Sequence, residues 1–332
     1  MKSSLATLSG WLLGMACACL MPAANAENST FPDKPVTMVV PFPAGGSADT
    51  IARMLARRMS QRWNQPVIVM NRAGAGTIIG LQTIAKAPPD GYTIGMDSIS
   101  HVVQPAVRTN LPYDALKSFT FISKLVDAPF VLTINSKLPI HSLPELVDYL
   151  HQKPGKLNYA SFGVGSAGHI FFEMLLQSAG VKATHVPYKG TGEATIAQLN
   201  GDAPLMFDMI VSSLPHIHNG ELRPLLVTTP ERSPMLPDTP TGKELGLKNM
   251  DMPTWFGLIG PQGLPVDVVK ELNAAAAQAL QDPAIVKAID EQGLTPRPTT
   301  PEAFRAFAKS SIETLSHATE VAHIPKLDAS GE

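Results

Sequence analysis

The chain has 332 residues, 44% of them hydrophobic and 16% charged, with a formal net charge of −2. This composition is that of a globular protein with room for two domains, and its mildly acidic balance excludes a basic field for nucleic acid or anionic lipid. Both cysteines, Cys17 and Cys19, fall within residues 1–26, so the rest of the chain has no disulfide, thiolate metal site or cysteine nucleophile.

Residues 1–26 read as an export leader. Lys2 supplies the positive start, Trp11-Leu-Leu-Gly-Met-Ala-Cys-Ala-Cys-Leu20 the apolar centre, and Ala24-Asn25-Ala26 a small-x-small cleavage site. The apolar run is short for a membrane span. Gly14 and Ala16 stand where a lipoprotein site has larger aliphatic residues, which argues against lipidation. Cleavage after Ala26 and a periplasmic location are expected.

The run Val36-Thr-Met-Val-Val-Pro-Phe-Pro-Ala-Gly-Gly-Ser-Ala-Asp49 predicts a buried strand, a glycine turn at Gly45-Gly46 and a helix start capped by Ser47 or Asp49. Such a turn offers main-chain N–H groups at the positive end of a helix, a site for a carboxylate or phosphate. An ordinary strand-to-helix connection is the alternative.

Further strands are expected at 67–71, 93–96, 130–135, 157–161, 183–187, 204–208, 222–228 and 255–259, alternating with helices at 48–63, 77–86, 143–152, 169–179 and 192–199. The alternation predicts an α/β fold with mainly parallel sheets. Ser142-Leu-Pro-Glu145 reads as a capping box, and Thr300-Pro301-Glu302 as a helix start with proline at its first position. The run from Phe119 to Thr133 is long for one strand and can pass between two sheets. The proline-rich stretch 229–253 reads as a return path. The expected organisation is a discontinuous first domain, 27–126 plus 252–332, with a second domain, 127–251, inserted in it.

A second strand–glycine turn–helix is Leu157-Asn-Tyr-Ala-Ser-Phe-Gly-Val-Gly-Ser-Ala-Gly-His-Ile170. Gly163, Gly165 and Gly168 satisfy G-x-G-x-x-G, but the next strand ends His185-Val-Pro-Tyr-Lys189 without an acid to grip a ribose. Neither Ser47 nor Ser166 completes a G-x-S-x-G elbow. His216-Ile-His218 reads as the end of a surface helix rather than a metal site. No catalytic residue, cofactor or metal is expected. The features left to carry function are two glycine turns facing across a hinge. Two helix dipoles contribute about 0.3–1 kcal/mol each, and charge-assisted N–H bonds about 1.5–3 kcal/mol apiece, enough for a small acid without arginine.

Eight pieces, in order, carry a resemblance. They are Pro41-Phe-Pro-Ala-Gly-Gly-Ser-Ala-Asp49, Val67-Ile-Val-Met-Asn-Arg-Ala-Gly-Ala-Gly76, Ala87-Pro-Pro-Asp-Gly-Tyr-Thr93, Leu111-Pro-Tyr-Asp114, Gly163-Val-Gly-Ser166, Val186-Pro-Tyr-Lys-Gly190, Met206-Phe-Asp208 and Trp255-Phe-Gly-Leu258. Together they resemble the Bug-type (TctC-like) solute receptors of tripartite tricarboxylate transporters over nearly the whole chain after the leader. The resemblance implies a two-domain periplasmic binding fold (type II-like) with a ligand cleft between domains, two crossing strands and no catalysis. Its implied partners are a small organic acid and the transporter's membrane subunits; a monomer is typical of such a receptor.

Carried onto this chain, the resemblance points to Phe42, Pro43, Ala44, Gly45, Gly46 and Ser47 of the first loop, with Asp49. In the second loop it points to Ser161, Phe162, Gly163, Val164, Gly165, Ser166 and His169. Arg72, Ser98, Lys189 and Asp208 complete the expected site. Arg72 is either a ligand cation or a loop stabiliser; Lys189 either touches ligand or is solvated; Asp208 either touches ligand or caps a helix. Phe162 either favours an aromatic acid over citrate or packs beside Phe171 or Phe172. Asp97 either faces the cleft or caps a helix. Replacing Gly45 or Gly165 by valine is expected to abolish binding and spare the fold. A receptor feeding a sensor kinase and an exported hydrolase are the competing functions.

Overall fold

The computed structural model describes residues 31–188, 190–247, 250, 253–321, 324 and 326–328; the expected leader and Lys189 lie outside them. In chain order the elements are β1 (Val36–Val40), α1 (Ser47–Trp63), β2 (Val67–Asn71), α2 (Ile78–Ala85), β3 (Thr93–Ser98), α3 (Ile99–Val107), β4 (Arg108–Thr109) and β5 (Phe119–Ala128). Next come β6 (Phe130–Asn135), α4 (Leu143–Gln152), β7 (Asn158–Ser161), α5 (Ala167–Ala179), β8 (Thr184–Pro187), α6 (Thr191–Asn200), β9 (Leu205–Met209), α7 (Ile210–His218) and β10 (Leu222–Val227). The chain ends with β11 (Thr254–Pro261), α8 (Val266–Ala279), α9 (Pro283–Asp290), β12 (Thr295–Pro296), α10 (Pro301–Val321) and β13 (Leu327–Asp328).

Two large sheets organise these elements, in the orders β12-β5-β11-β3-β1-β2 and β10-β6-β9-β7-β8, and β13 pairs with β4 in a third, two-stranded one. Each contains a β-α-β-α-β unit whose three strands run parallel with the first strand in the middle: β2-β1-β3 in one, β8-β7-β9 in the other. The parallel pairing expected from the alternation holds for these units. The remaining strands add antiparallel: β11 joins β3 and β5, and β6 joins β9 and β10. β6 and β11 each enter their sheet from the other one, without a crossover helix on the same sheet, and both pair antiparallel.

The run from Phe119 divides as its length suggested. β5 ends at Ala128 in the first sheet and β6 begins at Phe130 in the second, with Pro129 between. The return runs from β10 to β11, and the described residues between them hold no helix or strand. Ser142 caps α4, its Oγ accepting from Glu145 N–H at 3.3 Å, while the Glu145 carboxylate accepts from His141 N–H at 2.8 Å. The expected capping box is therefore shifted by one residue at its return bond. Sequence periodicity missed α3, a nine-residue helix carrying Pro105, and found only the end of α7.

The long helix α10 lies against α3 and β5 of the first sheet and against α5 of the second, so one apolar cluster runs through Val103, Phe304, Leu315, Phe171 and Phe207. Phe304 is fully buried, with its ring 5.2 Å from both Trp255 and Phe121 in edge-to-face contact. It fills the space left by Gly257, where a Cβ would lie 2.3 Å from the ring. Truncating a phenylalanine in such a site costs about 3–5 kcal/mol. Phe304→Ala is expected to lower unfolding free energy by about that amount in urea titration; a loss below about 1 kcal/mol would contradict this packing.

Candidate ligand-binding site

The first loop is held from below by one carboxylate. Asp49, buried in the first turn of α1, accepts from Gly45 N–H, Arg53 Nε and Asn71 Nδ2, each at 2.9 Å. Asn71 also donates to Phe42 O at 3.1 Å. The hydrogen bond from Arg53, with those from Gly45 and Asn71, lowers the Asp49 pKa to about 2. Gly45 takes φ +86°, which lets its N–H turn down onto Asp49. Asp49 and Ser47 do not cap α1, contrary to expectation. The N-cap is Gly46, with no side chain bonded there. Arg72 is exposed and serves the loop through its main chain, donating to Val40 O at 2.8 Å.

The second loop uses its groups internally. Gly165 N–H donates to His169 Nδ1 at 3.0 Å, Ser166 N–H to Gly163 O at 3.1 Å, and His169 N–H to Ser166 Oγ at 3.4 Å. Ser161 Oγ accepts from Gly163 N–H at 3.2 Å and lies 2.7 Å from His185 Nε2. The His169 and His185 rings stack at 3.9 Å. Burial holds both imidazoles neutral, His169 at about 3 and His185 at about 4. A Cβ on Gly165, which has φ +75°, would lie 2.9 Å from Val107 Cγ2 of α3. The expectation that Gly165→Val spares the fold is therefore corrected: it strains the turn and drives into α3.

A cavity of about 540 Å³ lies at the carboxyl ends of the parallel strands, where open α/β sheets bind ligands. Of the expected residues, Phe42, Pro43, Gly46, Ser47, Ser98, Phe162 and Asp208 line it. Ala44, Gly45, Asp49, Arg72, Ser161, Gly163, Val164, Gly165, Ser166 and His169 are not on its wall. Asp97 is also away from it. Fully buried, it accepts from Ser98 N–H at 2.8 Å and pairs with His101 Nδ1 at 2.9 Å. Strand alternation sends Ser98 to the cavity and Asp97 the other way.

The wall also includes Ala167 and Gly190, which the resemblance pointed to with the second loop and the Tyr188-Lys-Gly190 run, and residues that sequence reasoning did not select: Ala48, Ile99, Ser100, Phe130, Thr191, Met209, Ser212, Thr254, Trp255 and Phe256. Their signal was position, since half of them stand in the first turn of a helix that follows a parallel strand. The first residues of five helices, α1, α3, α5, α6 and α7, meet here. Their main-chain donors differ in how far they are already satisfied. Ser98 caps α3 and Ser166 caps α5; α7 has no side-chain cap, its Ile210 N–H donating to Pro129 O at 3.1 Å, while Asp208 just before it accepts from Met209 N–H and the Ser212 hydroxyl. α1 and α6 have glycine N-caps, Gly46 and Gly190, and no side-chain cap. Among the described residues of the wall there is no lysine, arginine or histidine.

The other wall is apolar. Five aromatic residues, Phe42, Phe130, Phe162, Trp255 and Phe256, lie on it, with Phe42 edge-on to Phe256 at 6.3 Å and Phe162 edge-on to Phe130 at 6.2 Å. The buried Trp255 indole N–H has no hydrogen-bond partner among the described residues. Asp208 is the only titratable side chain of the described wall, and its burial pushes its pKa up to about 7.

The profile of a family described as "Tripartite tricarboxylate transporter family receptor" matches residues 51–317. The chain belongs to this family. Protein BugT of Bordetella pertussis is 36% identical over 304 residues, covering 91% of this chain and 93% of that protein. A UPF0065 protein of Pseudomonas sp. (strain P51) is also 36% identical, covering 91% and 90%. Among solved structures, a periplasmic transporter aligns with TM-score 0.80 at 37% identity, covering 89% of this chain and 99% of that one. An R. palustris protein with adipate aligns with TM-score 0.80 at 31% identity, over 90% and 100%. MatC from Rhodopseudomonas palustris with bound malate aligns with TM-score 0.76 at 32% identity, over 87% and 99%. The family resemblance and the periplasmic-binding fold expected from the sequence both hold.

The buried titratable groups set a pH dependence. The unfolded chain protonates His169 and His185 from about pH 6.5 downward, whereas the folded chain waits until about 3 and 4, so these two subtract stability as pH falls below 6.5. Asp208 opposes them: folded at about 7 against 3.8 unfolded, it adds stability as pH falls through that window. Melting temperature is expected to drop between pH 6.5 and 4.5, and His185→Gln to flatten the drop. Equal slopes for the two proteins would refute this assignment.

Proposed function

We propose that this receptor captures a small organic acid in the periplasm and delivers it, without catalysis, to the membrane subunits of a tripartite tricarboxylate transporter. The observation that carries the reading is the pair of glycine-capped helix starts, α1 and α6, opening on one cavity that has no basic side chain on its described wall. Open N–H groups at two positive helix ends supply the charge that a carboxylate needs. Two solved relatives hold acids, adipate in one and malate in the other.

The aromatic wall supports an aromatic acid as the ligand class here, because a flat ring gains edge and stacking contacts that citrate does not. Residues 1–26 would direct export and be removed after Ala26. The two sheet units, divided near 126–127 and 251–252, would close over the ligand as domains of a monomer. Ser161 and His185 have the spacing of a nucleophile and base, but Ser161 is fully buried and neither residue reaches the cavity, which tells against a hydrolase.

An aspartate at an N-cap bonds the same N–H groups that a ligand carboxylate needs, and it favours the helix. Both glycines have room for it: Gly46 has φ −80° and Gly190 is extended at −179°, and no atom lies within 3.4 Å of a Cβ at either. Gly46→Asp and Gly190→Asp are therefore expected to keep or raise the melting temperature. Each should weaken benzoate binding at least 100-fold in calorimetric titration. Benzoate affinity undiminished in both variants would refute the reading. Citrate binding more tightly than benzoate to the unmodified protein would refute the aromatic preference.

A further inference from the structure

Asp208 lines the same cavity as the aromatic residues, at the end of β9, where Met209 pairs with Phe130 of β6. Its carboxylate accepts from Met209 N–H and from the Ser212 hydroxyl. An ionised carboxylate has about four acceptor sites, so two such bonds leave it short of donors. No cation among the described wall residues compensates it. The cavity thus combines donors without side-chain caps at α1 and α6 with an under-donated acid at the start of α7.

We propose that Asp208 determines specificity: it reads a hydrogen-bond donor on the part of the ligand away from its carboxylate and rejects a second carboxylate. The inference rests on the carboxylate-receptor reading of the same cavity. The ligand class is an aromatic monocarboxylic acid bearing a hydroxyl or amino group. A donor on the ring completes the Asp208 shell, whereas a ring without one leaves a buried charge unmet. A second carboxylate meets a like charge in a desolvated site, so either it or Asp208 must take up a proton. The raised pKa of Asp208, about 7, agrees with an acid short of donors in the empty cavity.

The test is calorimetric titration of the purified protein with benzoate, 4-hydroxybenzoate and terephthalate at pH 7.5, repeated on Asp208→Asn. The unmodified protein is expected to bind 4-hydroxybenzoate at least tenfold more tightly than benzoate, and terephthalate most weakly. In Asp208→Asn the first gap should shrink below threefold and terephthalate should gain at least tenfold. Terephthalate matching 4-hydroxybenzoate in the unmodified protein would overturn the proposal, and that arm decides the matter should the variant not fold. The unmodified order persisting in Asp208→Asn would overturn it too. If none of the three acids binds, the aromatic-acid reading itself fails, and the role of Asp208 falls with it.

Discussion

A carboxylate taken out of water needs donors in place of its hydration shell, and in the proposed site those donors are main-chain N–H groups at helix starts. Such groups are free for a ligand only where the protein's own side chains leave them alone. Ser98 and Ser166 cap two of the five helices that begin at the cavity, and the first N–H of α7, from Ile210, goes to Pro129 O; α1 and α6 begin at glycine with no side-chain cap. On the proposed reading, charge of the right sign is supplied without a cationic side chain among the described wall residues, in keeping with the chain's net charge of −2.

Everything else in the first loop serves to hold those groups still. Asp49 ties Gly45, Arg53 and Asn71 together beneath the turn, and Asn71 reaches Phe42 O. The loop is fixed by a carboxylate that the fold supplies, so its shape does not wait for the ligand, and preorganisation lowers the cost of binding. The second sheet answers with a different device: the stack of Tyr159, His185 and His169 rings lies beneath a loop whose donors His169 and Ser161 already occupy.

Strand and helix periodicity showed both β-α-β-α-β units and a crossing within the run Phe119–Thr133, which the structure puts at Pro129, and the ordered motifs showed the family. The site was legible in part. Phe42, Gly46, Ser47, Phe162 and Asp208 stand on the wall because they follow buried strands, which the sequence displays. What it did not display is where each donor goes. A histidine four residues beyond Gly165 claims that N–H, and nothing in the G-x-G-x-x-G spacing announces it. The extended start of α6 at Gly190 closes the Val186-Pro-Tyr-Lys-Gly190 motif, yet only the absence of a side-chain cap sets it apart from α5. Asp97 and Ser98 are neighbours on β3, and strand alternation puts them on opposite sides; their sequence adjacency concealed that.

The central claim is that the first turns of α1 and α6 jointly hold the ligand's carboxylate. A crystal structure of the protein with benzoate tests it most directly. The account predicts carboxylate oxygens about 2.7–3.1 Å from main-chain N–H groups of both turns, directly or through one water, with the ring against the aromatic wall. A carboxylate bound instead to a basic side chain, or seated away from both turns, would contradict it.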